Sequence, residues 1–405
     1  MEESNPIQKR GRAARGLAVV LAGGLTLAAG LVLGAGAYRC VCKHRNADSA
    51  DVSPGMDKAS EGIDRYLNRL VERTGESRAA YWQRDFSSLS NYLTSVSRAR
   101  KDLADLLGLP PDFRESNCPA LLSDQGVATN GTGEIRHWTL ATGNGALPLD
   151  ALVGIPRNRP SPFPLVILFY GTGGSPERVF GLDGVPDYHR RMAAVLMEHG
   201  YLVFVPYIVT QTGANPNQRR NQLDHRALAA GARLIGIELG QCMDALDYLS
   251  QLEIVDERHM TTYGISLGGF LSFHLAALDT RVAAAVVSQY IEDRIGKLAG
   301  RNYPEAYWQY ENADWALFPG YLQRYTDYDI ASLIAPRKLF IEVGRQDARS
   351  QPSRQVFEDI RGLYESLAQP AGSVALEIGE GGHEAFLAGS LEFLKQWTPP
   401  GPRKP

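Results

Sequence analysis

Cysteine is scarce. The chain has four in 405 residues, at positions 40, 42, 118 and 242, too few and too scattered for a disulfide framework. Cys118 and Cys242 read as isolated buried thiols. Cys40-Val41-Cys42 is a close pair, but no second Cys or His pair follows at zinc spacing, so no metal site is expected. A surplus of positive charge is also missing. The 42 Lys and Arg stand against 45 Asp and Glu, which gives no support for nucleic-acid binding, whose footprint is basic. Charged residues make up 21% and hydrophobic ones 44% of the chain, a balance that excludes a disordered, collagenous or polytopic membrane protein. Internal repeats are absent, and the one low-complexity tract is the proline-rich tail 399–405.

What charge there is lies unevenly. Residues 1–45 hold seven Lys and Arg against two Glu. A basic region, 1–15, leads into 16–38, which has no charged residue. As a helix that stretch would span roughly 34 Å, enough to cross a bilayer. Two readings stay open: an uncleaved transmembrane signal anchor, or a signal peptide cut after Ala35-Gly36-Ala37. The long basic lead, the length of the run, and Arg39, Lys43 and Arg45 just behind it favour the anchor. Either way the catalytic part is expected outside the cytoplasm, membrane-anchored or, after cleavage, secreted.

Residues 46–62, rich in Ser, Asp and Gly, read as a linker. Ile63, Tyr66, Leu67, Leu70 and Val71 then repeat at helical spacing. A second helical pattern runs from Phe86 to Leu107 and stops at Gly108 with Pro110-Pro111 behind it. Residues 63–132 are therefore expected as a helical extension. From 133 to 398 the pattern changes. Two runs, 135–140 and 149–156, flank Gly143-Asn144-Gly145 as a hairpin. Six short apolar runs follow, at 165–170, 201–205, 260–264, 282–287, 339–344 and 374–378, with helical stretches between them. Strands apolar on both faces are those of a covered parallel sheet, so the fold class expected is a doubly wound, mostly parallel α/β sheet.

The chemistry centres on Gly264-Ile-Ser266-Leu-Gly268-Gly269, a GxSxG directly after one predicted strand and at the head of a helix. A nucleophile elbow needs that setting, because its serine sits on a sharp strand-to-helix turn. Serine is a poor nucleophile without a base, and the base needs an orienting acid. In the elbow-bearing fold the chain order is Ser, acid, His. Asp347 lies three residues after the strand ending at Gly344, and His383 lies in Gly379-Glu-Gly-Gly-His383 before the last helix. The other histidines precede the serine or sit on predicted helices. Asp293 and Glu342 are rivals for the acid. An oxyanion needs preorganised backbone N–H donors. One is expected from Leu267 and the second from the loop Tyr170-Gly-Thr172-Gly-Gly174, assigned to Thr172 with a shift of one residue left open. That loop lacks the GxGxxG spacing of a dinucleotide site, and His383-Glu384 lacks the second histidine of HExxH, so neither cofactor nor metal is expected.

These motifs together resemble an α/β-hydrolase of the dienelactone hydrolase and acetyl-xylan-esterase-like group. The likeness rests on Tyr-Gly-Thr-Gly-Gly in the place of that group's His-Gly loop, Gly-Ile-Ser-Leu-Gly-Gly, the acid after Leu-Ile-Ala-Pro-Arg-Lys-Leu-Phe-Ile-Glu-Val-Gly, and Gly-Gly-His before the last helix. It covers 133–398, about two-thirds of the chain. The resemblance implies an α/β-hydrolase fold and a triad of Ser266, Asp347 and His383. It also implies a small-molecule or carbohydrate ester as substrate, without fixing the class. The departure is Tyr170, where the group commonly has His. Ten aromatics between Tyr290 and Tyr328 allow either an aromatic-walled pocket or a small core of their own. The reading is a serine esterase, with a prolyl-oligopeptidase-like peptidase or a non-catalytic binding protein as alternatives.

Overall fold

A computed structural model describes residues 54–113, 119–210, 215, 217–299 and 314–402. The basic region, the 16–38 run, Cys40, Cys42, Cys118, Trp308 and the end of the tail lie outside the described residues. Among the described residues no helix is long and apolar enough to cross a membrane. The chain divides into two compact units, Met1–Tyr66 and Leu67–Pro405. In the first, the described part is helix with an exposed Arg65–Glu61 pair at 3.5 Å. Residues 54–62 are thus the opening turns of a helix and not linker. Ser, Asp and Gly lower helix propensity without forbidding it, and good helix formers follow.

The elements begin with α1 (Pro54–Tyr81) and α2 (Leu89–Leu106), then β1 (Ala120–Thr129), β2 (Gly133–Thr142), β3 (Leu147–Pro156) and β4 (Phe163–Phe169). Next come α3 (Pro176–Phe180), α4 (Met192–Glu198), β5 (Leu202–Pro206), α5 (Gln218–Ala229) and α6 (Leu234–Leu249). The second half holds β6 (Val255–Ile265), α7 (Leu267–Leu278), β7 (Ala284–Ser288), α8 (Arg294–Leu298) and α9 (Asp327–Ile334). It closes with β8 (Lys338–Gly344), α10 (Ser350–Ser366), β9 (Val374–Gly379) and α11 (Ala388–Trp397).

The strands form one sheet in the order β1-β2-β3-β5-β4-β6-β7-β8-β9. The first three and the β3/β5 pair are antiparallel, and every pair from β5 to β9 is parallel. Each apolar run read as a strand is one. The sheet also has a strand inside the stretch expected to be helical: β1 pairs with β2 at the edge, mostly exposed and twice shifted in register. Its sequence is half polar, so it carries no hydrophobic period to read.

The helical extension packs on the rest through its buried face, Tyr92, Val96, Ala99 and Leu103. Ser88 caps α2 by accepting from Asn91 N–H at 3.1 Å. Tyr92 donates to Ser332 O at 2.8 Å and Tyr325 to Ala99 O at 2.7 Å, tying α2 to α9 and the segment before it. Beneath them Arg337 serves several helix ends at once. Its guanidinium donates to Ala276 O, Asp279 O, Val282 O, Leu333 O and Ile334 O at 2.7–3.1 Å. Carbonyls at helix C-termini have no partner within their helix, and here one cation takes those of α7 and α9 together. Replacing Arg337 with Met, similar in length but without donors, leaves these carbonyls unpaired. The expected loss is about 3–5 kcal/mol in urea unfolding; a loss under about 1 kcal/mol would show that water replaces the guanidinium.

Candidate active site

Between β4 and β6 the chain reverses its direction of travel across the sheet, since β5 lies on one side of β4 and β6 on the other. Loops leaving the carboxyl ends at such a switch point diverge and open a crevice. Phe169 pairs with Gly264 there, which sets the loop after β4 beside the serine after β6. Ser266 has φ +59° and ψ −118°, a left-handed conformation rare for a residue with a side chain. Its N–H donates to Ser288 O at 3.0 Å, anchoring it to the end of β7. A Cβ at Gly264 would lie 1.9 Å from Gly268 O, and one at Gly268 would lie 2.2 Å from Phe169 O. Backbone meets backbone at both positions, so the glycines of the motif are obligatory.

The loop after β4 is a tight turn. Gly174 N–H donates to Gly171 O at 3.1 Å, and Gly173, the third residue of the turn, has φ +81°. That is the signature of a type II turn. Three of its N–H groups are committed: Gly171 to His189 Nε2 at 2.9 Å, Gly173 to Thr210 Oγ1 at 3.0 Å, and Gly174 within the turn. Thr172 O accepts from Tyr188 Oη at 2.9 Å. Thr172 N–H alone in the turn has no acceptor among the described residues, nor has Leu267 N–H at the head of α7. Tyr170, the departure from the histidine common in the resembled group, turns to the neighbouring loop. Its hydroxyl donates to Ile208 O at 3.1 Å and accepts from Ile208 N–H at 2.8 Å. The imidazole holding the turn is His189, fully buried, with Nδ1 2.7 Å from Asp187. Burial pulls its pKa down.

Asp347 and His383 stand after β8 and β9, on the same edge of the sheet. His383 Nδ1 donates to Asp347 Oδ2 at 2.6 Å. The carboxylate is nearly buried and the imidazole about a third exposed. Burial pushes the Asp347 pKa up, but the His383 hydrogen bond and the Arg349 charge outweigh it and hold the carboxyl well below its ordinary range. Arg349 reaches Asp347 by its N–H at 2.8 Å and by Nη1 at 3.1 Å. With Nδ1 on Asp347, the other ring nitrogen of His383 is left to act as a base. No hydrogen bond joins His383 to the Ser266 hydroxyl among the described residues. Catalytic contacts of this kind often close only with substrate.

Residues 149–292 match the dienelactone hydrolase family. A curated relative, the polyketide transferase ATR5 of Stachybotrys chlorohalonatus, is 25% identical over 288 residues, 58% of this chain and 89% of its own. Among solved structures, a Bacteroides fragilis protein assigned as an acetyl xylan esterase superposes with a TM-score of 0.58 at 16% identity. That alignment covers 82% of this chain and 84% of the other. A glucuronoyl esterase from Solibacter usitatus gives 0.56 at 16%, over 77% and 94%. The chain has the α/β-hydrolase fold of these esterases.

Within this fold the other candidates for the acid have partners of their own. Asp293 caps α8 by accepting from Gly296 N–H at 2.9 Å. Its neighbour Glu292 is buried, takes Lys297 at 2.7 and 2.8 Å, and lies 3.4 Å from Arg349 Nε. The acid loop is thereby coupled to a buried ionic cluster with Arg294 and Asp327, which pair at 2.6 Å. The described aromatics of the 290–328 insertion form a core and also bound a cavity. Phe270, Phe318 and His274 stack, Trp315 and Tyr290 meet Phe270 edge-on, and Tyr290, Phe318 and Tyr321 line a space of about 250 Å³ with Arg294. Ser266, Thr172 and His383 are not among the residues lining that space, so the described aromatics fit the expectation of a small core.

Glu342 lies inside β8, fully buried, and accepts from Phe386 N–H at 3.2 Å on the histidine loop. Burial raises its pKa to about 7. A raised carboxyl pKa adds stability that is complete below the ordinary value near 4.5 and is lost as the pH climbs through 7. Glu342→Gln should cancel that slope. Relative to wild type, the variant should gain up to about 3 kcal/mol between pH 5 and pH 8 in urea unfolding; parallel curves would mean Glu342 is ionised throughout.

Proposed function

We propose that this protein is a serine hydrolase of carboxylic esters, acting through an acyl-enzyme. The observation that carries the reading is the short bond from His383 Nδ1 to a nearly buried carboxylate. It stands on the same sheet edge as a serine held at positive φ. Ser266 Oγ attacks the ester carbonyl while His383 takes its proton. The tetrahedral oxyanion is met by the N–H groups of Leu267 and Thr172. Collapse expels the alcohol, which leaves with the proton from His383. Water then repeats the sequence on the acyl-enzyme, freeing the acid and restoring the serine. Asp347 keeps the imidazole in the tautomer that leaves Nε2 basic and stabilises the imidazolium. Every step is carried by this chain's groups and water.

The finer reading is deacetylation of carbohydrate esters, supported by a structural neighbour assigned as an acetyl xylan esterase. The uncharged run 16–38 supports action outside the cytoplasm, tethered or secreted.

A fluorophosphonate should label the full-length protein on one peptide, that of Ser266, located by mass spectrometry. Ser266→Ala should lose both label and p-nitrophenyl acetate turnover. Asp347→Asn should keep the fold and lower kcat about 10⁴-fold, because the tautomer is then wrong. A folded wild type that takes no label would defeat the esterase reading.

A further inference from the structure

The three residues of the reading above sit on three separate loops, so something has to hold those loops in register. Gln289, the residue after β7, is placed to do so. It is fully buried and, like Ser266, has a positive φ, +54°. Bulky residues without a β-branch still avoid that region, and such strain persists only where the surroundings enforce it. Its N–H donates to Glu342 O at 2.8 Å, continuing the pairing of β7 with β8. Its amide then spans the site. Oε1 accepts from Gly344 N–H at 3.1 Å, at the head of the turn in which Asp347 N–H donates to Gly344 O. Nε2 donates to Glu384 O at 2.7 Å and to Gly382 O at 3.3 Å, the two carbonyls that flank His383 in sequence. One N–H on one side and two carbonyls on the other fix which way round the amide lies. One residue back, Ser288 O receives the Ser266 N–H.

We propose that Gln289 is a positioning residue for catalysis: its side-chain amide locks the acid loop to the histidine loop, and its backbone ties both to the strand that anchors the nucleophile. The proposal rests on the triad reading and deepens it. Only a carboxamide of this length supplies an acceptor and two donors from one rigid plane. A misplacement of the imidazole by about 1 Å is enough to cost on the order of 10²-fold in rate.

The test pairs two substitutions in the full chain. Gln289→Leu keeps much of the volume and removes the amide. Its kcat on p-nitrophenyl acetate should fall on the order of 10²-fold, with KM little changed and fluorophosphonate labelling slowed in parallel. The low-field proton resonance of His383 Nδ1–H should weaken or vanish in the same sample. Gln289→Glu is the informative partner. Protonated, its carboxyl donates to Glu384 O and accepts from Gly344 N–H, as the amide does. Ionised, it faces two carbonyls with no proton to give. The charged and titratable groups around it are Glu342 from β8, Asp347 and Arg349 from the acid loop, His383 and Glu384 from the histidine loop, and Glu292 beyond Tyr290 on its own segment. Its kcat should therefore follow wild type at low pH and gain a descending alkaline limb that wild type lacks. A purely structural role would shift thermal stability and leave the shape of the pH profile alone. Wild-type kcat in Gln289→Leu, or a wild-type-shaped profile in Gln289→Glu, overturns the proposal. A wild type that neither labels nor turns over overturns the triad reading beneath it.

Discussion

Everything at this site follows from backbone passing backbone without side chains between. Gly264, Gly268 and Gly269 let the end of β6 and the first turn of α7 close on each other and on their neighbours. A Cβ at any of the three would come within 2.8 Å of another backbone carbonyl. The squeeze turns the chain from strand to helix in a single residue, and that residue, Ser266, is driven to positive φ. Because the contacts run to Phe169 O on one side and Ser288 O on the other, the loop after β4 and the end of β7 are pulled against the same point. Hydrophobic burial builds the sheet. The absence of three side chains decides what the sheet presents at its edge.

Around that point the molecule spends buried polar groups where apolar ones would pack more simply. Arg337 collects carbonyls from two helix ends, Glu292 gathers cations around one carboxylate, and His189 and Gln289 each bond the backbone of a loop. A buried polar group is expensive if any of its bonds is missing. Satisfied in full, it allows fewer arrangements than an apolar contact, because direction as well as distance must match. Leucine at 289 would fill space and tolerate a loop sliding by half an ångström. An amide holding three backbone partners would not.

The sequence made the central strands and the elbow readable for one shared reason: each has a local pattern. Strands covered on both faces are continuous apolar runs, and a strand-to-helix turn at serine needs glycines at fixed offsets. Asp347 and His383 were reachable because position relative to a strand end, together with chain order, narrows the choice. β1 was not readable, since an exposed edge strand has no face to hide. Gln289 and His189 were not readable either. The backbone groups that these two side chains bind are between 18 and 95 residues away in sequence, and no periodicity announces a side chain whose purpose is another loop's backbone. The glutamine directly after a buried strand was at most a weak signal, a polar residue where the run Val286-Val287-Ser288 had just closed.

The two histidine–aspartate pairs show what separates a pair that can serve as a base from one that cannot. His189 with Asp187 and His383 with Asp347 have nearly the same geometry, 2.7 and 2.6 Å between Nδ1 and a carboxylate oxygen. By pair geometry alone either would qualify. The difference is the far nitrogen. Nε2 of His189 already accepts the Gly171 N–H in a fully buried setting, so it has no lone pair to offer a serine. The His383 ring is about a third exposed, and its Nε2 has no protein partner among the described residues. A proton acceptor must be both oriented and unoccupied, and only the second pair meets both conditions. The first pair has a different part, since it fixes the loop after β4. By taking the Gly171 N–H, His189 holds the turn in which the Thr172 N–H has no acceptor among the described residues.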